Sequence, residues 1–135
     1  MNTGSRREGR LLMAAMVIPF VLFRVYLHSF PNTDLNVGNI NVHHLFSGFL
    51  LVLAGGIPLA LQVVRRRTPA LLIFGAGISL VLDEWVFLIA TNGSNEAYLT
   101  RPSWLGGAVM IALACTFTEL AARRGTANTR DRTQP

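Results

Sequence analysis

Long apolar runs alternate with short polar stretches along the whole chain. The apolar runs are 11–30, 42–64, 69–90 and 102–122. Each contains about 20 residues or more, which is the length that an α-helix needs to cross the hydrocarbon core of a bilayer. The pattern therefore predicts an all-α, polytopic membrane protein with four transmembrane helices in an up-down bundle.

The segments outside these runs are short and polar. Residues 1–10 form a basic N-terminal segment, and residues 123–135 form a polar tail that we expect to be disordered because it has little apolar surface to bury. Nothing remains that could build a separate water-soluble core. We therefore expect one transmembrane domain, residues 11–122.

The basic residues are distributed unevenly between the two ends of the apolar runs. All twelve are arginine, and ten of them stand in three groups: before the first run (Arg6, Arg7, Arg10), after the second (Arg65, Arg66, Arg67) and after the fourth (Arg123, Arg124, Arg130, Arg132). Short cytoplasmic segments of membrane proteins are enriched in arginine and lysine. Both termini and the middle connection are thus predicted to be cytoplasmic, with the protein in the cytoplasmic (inner) membrane.

This placement also accounts for the formal net charge of +5. Arginines beside membrane ends favour anionic lipid headgroups, so we expect the lipid bilayer to be their partner and expect no nucleic acid.

Two adjacent carboxylates, Asp83 and Glu84, interrupt the third apolar run. A charged side chain near the middle of a spanning helix costs about 2.5–3.5 kcal/mol, so other groups of the protein must compensate the pair. Asp83 follows Gly75 and Ser79 at intervals of four, a face of small residues that predicts close packing inside the bundle. Glu84 lies about 100° further round the helix and is expected to face a different neighbour.

Arg24 lies inside the first apolar run at nearly the same predicted depth as these carboxylates. Counted from Leu11 it lies about 20 Å from the cytoplasmic end, and Asp83 counted from Pro69 lies at about 21 Å. We therefore predict an ion pair of Arg24 with Asp83 or Glu84.

Histidines at the start of the second run offer another way to compensate the carboxylates. Histidine with carboxylate is a ligand set for zinc, iron or manganese, so His43, His44, Asp83 and Glu84 form a candidate metal site. A depth count argues against it, because the carboxylates lie about 10 Å below the outer end of their helix. The side chains of the two helices also lean in opposite directions. A shared site would require the loop before His43 to dip into the membrane, or the second span to begin higher.

Small residues mark the helix faces that are expected to approach one another. In the second run, Gly48, Val52 and Gly55 follow His44 on one face. Such faces let helix backbones come close, within one chain or between chains. A homo-oligomer or a larger membrane complex is compatible with this pattern.

Residues nearer the membrane ends have simpler interpretations. Tyr98 and Trp104 flank the second outer connection, where aromatic side chains anchor helices at the interface. Glu119 is expected to pair with Arg123 at the cytoplasmic end. Cys115 is the single cysteine, so no intrachain disulfide can form and we expect it to pack within the fourth span.

Two stretches of the chain carry a resemblance to a known family. Residues 41–48 read NVHHLFSG, and residues 75–85 read GAGISLVLDEW. They resemble a poorly characterised family of small bacterial integral membrane proteins that pair an H-x-H-H-x-x-x-G helix start with L-D-E-[FW] in the next helix. Asn41 stands where that pattern has its first histidine. The resemblance implies four spans and one polar site shared by the two motifs.

Three functional hypotheses follow. In the first, the cluster of Arg24, His43, His44, Asp83 and Glu84 in the outer half of the bundle binds a metal or holds a non-enzymatic protein together, with a larger complex as one setting. In the second, the protein is a metal-dependent membrane enzyme acting on a lipid-like substrate, with Asp83 or Glu84 as the acid/base. The third is proton or ion transport by an oligomer.

Overall fold

The structure is a computed structural model that describes residues 3–30, 36–37, 40–41, 44–91 and 94–131. Its elements are helices α1 (Thr3–Ser29), α2 (His44–Ala60), α3 (Arg67–Ala90), α4 (Asn95–Tyr98) and α5 (Arg101–Asp131), and strands β1 (Asn36–Val37) and β2 (Ile40–Asn41). The two strands pair antiparallel. Helix dominates the described residues, which confirms the all-α prediction.

Three of the described helices are long and apolar enough to cross a membrane. They are Ser5–Ser29 within α1, Arg67–Ala90 (α3) and Arg101–Gly125 within α5. The apolar helix α2 is shorter, with 17 residues. At 1.5 Å per residue it is about 26 Å long, somewhat less than the hydrocarbon thickness of about 30 Å.

Helix α2 covers less of the chain than the run 42–64 predicts. Gln62 adopts a left-handed backbone conformation with φ of 56°. Its N–H donates to Leu59 O, and the N–H of Val63 donates to Pro58 O, each at 3.2 Å. These two hydrogen bonds form a Schellman motif, which satisfies the last carbonyls of a helix and turns the chain away. The apolar residues after Gln62 therefore lie outside the helix.

Helices α1 and α5 extend beyond the runs that predict them. Helix α1 begins at Thr3, inside the basic N-terminal segment, and α5 continues past Ala122 to Asp131. Part of the tail predicted to be disordered is therefore helical, and residues 132–135 lie outside the described part of the chain. Alanine and arginine both favour helix, so a change from apolar to basic residues need not end one.

Contacts at both ends of the helices define their directions. At one end, Arg67 at the start of α3 pairs with Glu8 at 3.1 Å, and Ser5 Oγ lies 3.5 Å from Ala122 O near the end of α5. At the opposite end, α1 meets α3 through Arg24 and Asp83. Helices α1 and α3 therefore run in one direction and α5 runs in the other, with α3 packed against α1, α2 and α5.

Helix α2 packs against α3 at glycines on both helices. A Cβ added to Gly48 would lie 2.8 Å from Leu80 Cβ, and one added to Gly77 would lie 2.6 Å from Val52 N. Gly55 in turn faces Ala70 and Phe74 of α3. The predicted stripe on the second run thus makes a close antiparallel contact. This register sets His44, four residues before Gly48, level with Glu84, four residues after Leu80.

An apolar core fills the space between α1, α3 and α5. Met16, Phe20 and Ile111 are its buried centre, and Cys115 packs against it as predicted. The face of α3 that carries Gly75, Ser79 and Asp83 points inward. A Cβ on Gly75 would lie 2.6 Å from Ala15 Cβ of α1, and Ser79 and Asp83 are buried.

Candidate functional site

Arg24 of α1 is the centre of a buried polar cluster. Its side chain is fully enclosed, and its Nε lies 2.6 Å from Asp83 Oδ1. Nη1 donates to Tyr98 O at 3.0 Å and to Ser103 Oγ at 3.1 Å, while Nη2 donates to Ser103 O at 3.1 Å and to Asp83 O at 3.3 Å. A guanidinium has five N–H donors. All five have acceptors here, so α1 is tied to α3, to α4 and to the first turn of α5.

Aromatic rings surround the same guanidinium. Arg24 Cζ lies 4.1 Å from the centroid of the Tyr98 ring, 5.3 Å from that of Trp104 and 5.7 Å from that of Phe20. Cations are attracted to the faces of aromatic rings within about 6 Å. The rings also exclude water, which strengthens the interaction of Arg24 with Asp83.

The short helix α4 brings Tyr98 into the cluster. Ser94 Oγ accepts a hydrogen bond from Ala97 N at 3.2 Å and so caps the helix. Tyr98 is buried, and its phenol donates to Asp83 Oδ2. Burial, the negative charge of Asp83 and this hydrogen bond raise the pKa of Tyr98 well above its ordinary value. The phenol therefore stays protonated and remains a donor.

Asp83 accepts from three different helices. Besides Arg24 of α1 and Tyr98 of α4, it faces His44 at the start of α2, whose Nε2 lies 3.0 Å from Oδ2. Asp83 has a relative exposure of 1%. A carboxylate removed from water needs partners of this kind, and here they come from α1, α2 and α4.

Glu84 faces α2. Its Oε2 accepts from Leu45 N at 2.7 Å, and its Oε1 lies 3.1 Å from His44 Nδ1. The first N–H groups of a helix have no partner within the helix, and they carry partial positive charge. Glu84 therefore stabilises the start of α2. The adjacent carboxylates share His44, whereas Asp83 additionally contacts Arg24 of α1 and Tyr98 of α4, so the prediction that they face different neighbours holds only in part.

His44 lies between the two carboxylates with one ring nitrogen toward each. Both contacts are attractive when both nitrogens carry a proton, since the carboxylate oxygens offer only lone pairs. In that doubly protonated form, the charges of Arg24, His44, Asp83 and Glu84 sum to zero.

Two neighbours of Asp83 on the same inward side complete the cluster. Gly107 of α5 leaves room for it, because a Cβ there would lie 3.1 Å from Asp83 Oδ1 and 3.2 Å from Arg24 Nη2. Ser79, one turn before Asp83, is buried, and its Oγ has no hydrogen-bond partner among the described residues. The site thus requires a glycine on α5 and contains a further buried hydroxyl.

The predicted ion pair between Arg24 and Asp83 is present. The depth argument that separated the histidines from the carboxylates is wrong for His44. It assumed a helix from residue 42 that begins at the membrane surface, whereas α2 begins at His44 and is level with Glu84. His43 lies outside the described residues.

Tyr98 and Ser103 join the cluster without having been predicted as site residues. Tyr98 was expected at the interface, yet it is buried against Arg24, and Trp104 is partly exposed beside it. No spacing rule predicts a four-residue helix that turns back into the bundle. No periodicity in the sequence links either residue to Arg24, from which Tyr98 is separated by 74 residues and Ser103 by 79.

Among the residues that the structure describes, no group of three or more His, Cys, Asp or Glu side chains is arranged as metal ligands. His44 presents opposite ring nitrogens to Asp83 and Glu84, so the two carboxylates lie on different sides of the ring. One ion therefore could not bind all three side chains without rearrangement. Glu119 pairs with Arg123 at 2.7 Å, as predicted, and takes no part in the cluster.

Comparisons with family models, with curated proteins and with solved structures find no match to this chain.

Proposed function

We propose that the chain is a polytopic inner-membrane protein whose helices α1, α2, α3 and α5 form an up-down bundle with both termini cytoplasmic. Three helices of spanning length, the apolar α2 and the arginines at the end where α1 and α3 begin support this arrangement. The short α2 is compatible with insertion, because a bilayer thins locally around a short helix at modest cost.

We further propose that the polar cluster is a structural, proton-holding core of a non-enzymatic membrane protein. The observation that carries this proposal is the placement of His44 between the two carboxylates, with Nε2 near Asp83 and Nδ1 near Glu84. In this proposal, Arg24 and one proton held between His44 and the two carboxylates neutralise Asp83 and Glu84 without any further cation. The cluster then joins α1, α2, α3, α4 and α5 at one level of the bundle.

The test replaces His44 by alanine, with His28→Ala as the control because His28 is exposed on α1. Hydrogen bonds to charged groups contribute about 1.5–3 kcal/mol each, and His44 contacts two carboxylates. His44→Ala should therefore lower the free energy of unfolding by about 3–6 kcal/mol, and the control should not. Purified wild-type protein should unfold identically with and without a chelator. Stoichiometric zinc, iron or manganese that is lost in His44→Ala would overturn the proposal in favour of a metal site.

A proton pathway is the second candidate, because one line of polar contacts runs from Tyr98 through Asp83 and His44 to Glu84. The test is proton flux into liposomes that contain the protein. Flux that His44→Gln abolishes while the protein stays folded would favour transport over a purely structural core.

A further inference from the structure

The starting turns of α1 pack closely against the last turns of α5. Ser5 Oγ lies 3.5 Å from Ala122 O, and a Cβ on Gly9 would lie 3.0 Å from Ala122 Cβ. This contact, the α1–α5 seam, lies at the end of the molecule where Arg67 pairs with Glu8. It is far from the polar cluster, which has no part in it.

Positive charge exceeds negative charge at the seam. Glu119 forms an ion pair with Arg123 on α5, and Arg6 and Arg10 of α1 lie close enough to act on the same carboxylate. Three arginines thus surround one carboxylate, an excess of two positive charges. All three are exposed. Among the described residues, Arg6 and Arg10 form no ion pair, so their guanidinium groups are available to an anion.

Two large apolar side chains are exposed on α5 within two turns of Arg123. Phe117 is 74% exposed and Leu120 is 50% exposed, and they precede Arg123 by six and three residues. Exposed apolar groups next to a basic cluster match an amphiphile that has an anionic head and hydrocarbon chains. Free phosphate would use the arginines but would gain nothing from the apolar side chains.

We propose that the α1–α5 seam binds an anionic phospholipid, with Arg6, Arg10 and Arg123 on the headgroup phosphate and the acyl chains along Phe117 and Leu120. The inference rests on the proposed insertion in a membrane, because only an inserted protein would hold the seam at the level of the lipid headgroups. Guanidinium groups bind phosphate oxygens in a bidentate manner, which suits three arginines around one headgroup.

The test counts lipids that remain bound to the purified protein after extraction from vesicles of equal phosphatidylglycerol and phosphatidylcholine, by native mass spectrometry. The seam variant is Arg6→Gln with Arg10→Gln. The control variant is Arg65→Gln with Arg66→Gln, which removes the same charge from exposed arginines in the connection between α2 and α3. Each arginine near an anionic headgroup contributes about fivefold, so the seam variant should bind phosphatidylglycerol about thirtyfold more weakly.

The wild-type protein and the control should retain phosphatidylglycerol in preference to phosphatidylcholine. Glu119→Gln should retain more of it, because that change removes the competing carboxylate. Equal losses in the seam and control variants would overturn the site, as would displacement of the lipid by excess inorganic phosphate. Release of the protein from vesicles by alkaline carbonate would instead contradict membrane insertion, so the two failures are distinguishable.

Discussion

Replacement of Arg24 by leucine tests whether this side chain neutralises the buried carboxylates. The change removes the cation from the pair with Asp83 and leaves four other acceptor contacts without their donor. Removal of one partner from a buried ion pair costs about 3–5 kcal/mol, because the other charge stays buried without compensation. Interhelical hydrogen bonds in membrane proteins average about 0.6 kcal/mol each, so the four contacts that lose the Arg24 donor are together worth about 2 kcal/mol. The ion pair therefore dominates, and we expect a loss of about 3–5 kcal/mol.

The assay is unfolding by SDS in mixed micelles, followed by circular dichroism of the helices. Tryptophan fluorescence is unsuitable, since Trp104 lies 5.3 Å from Arg24 Cζ and would respond to the substitution itself. Arg67→Leu is the matched control. It removes an arginine from an ion pair with Glu8 in which the two side chains are 52% and 38% exposed. Exposed pairs contribute about 1 kcal/mol or less.

A double-mutant cycle with Asp83→Asn separates the ion pair from general packing. Asparagine removes the charge and keeps the shape, so the combined variant should lose at least about 1 kcal/mol less than the sum of the two single losses. Additive losses would refute the reasoning, and so would an Arg24→Leu protein as stable as Arg67→Leu. Either result would mean that another group compensates Asp83.

Three further predictions concern single positions. Gln62→Gly should raise the free energy of unfolding by about 1 kcal/mol in the same assay, because Gln62 has a left-handed φ of 56°, and Gln62→Ala should give no gain. Gly107→Ala should lower it by about 1–3 kcal/mol, because the added Cβ would press on Asp83 and Arg24 at 3.1 and 3.2 Å, whereas Ala108→Ser on the exposed side of α5 should be neutral. Tyr98 keeps its proton in the folded state but loses it near the ordinary pKa of 10.0 when the chain is unfolded. The stability due to Tyr98 is therefore complete below that pH and is lost as the pH rises above it, so unfolding measured from pH 8 to 11 should show a steeper decline for wild type than for Tyr98→Phe.

The pairing of Arg24 with Asp83 could be predicted because depth along a straight helix follows from a constant rise per residue. Helices α1 and α3 begin at the same end of the molecule and run in the same direction, so equal residue counts from their starts correspond to equal depths. The prediction that Asp83 and Glu84 face different neighbours rests on the same regularity. These features depend on helix geometry alone.

The position of His44 could not be obtained in this way. It depends on where α2 begins and on how α2 is set against α3, and the setting is decided by close contacts such as Gly48 with Leu80. An apolar run does not fix the ends of a helix, because the second run extends past Gln62 whereas α1 and α5 continue beyond their runs. An error of about four residues in the start of a helix moves a side chain by a full turn, which is enough to decide whether two side chains are in contact.

The adjacency of Asp83 and Glu84 is what allows one helix to hold several others at the same level. Neighbouring residues on a helix point about 100° apart, so Asp83 reaches α1 and α4 while Glu84 reaches the first N–H groups of α2. His44 closes the arrangement, because its ring touches both carboxylates from α2. Two carboxylates one turn apart would lie on the same face and would bind the same neighbour. The cost of burying a second charge is thus offset by a second helix contact.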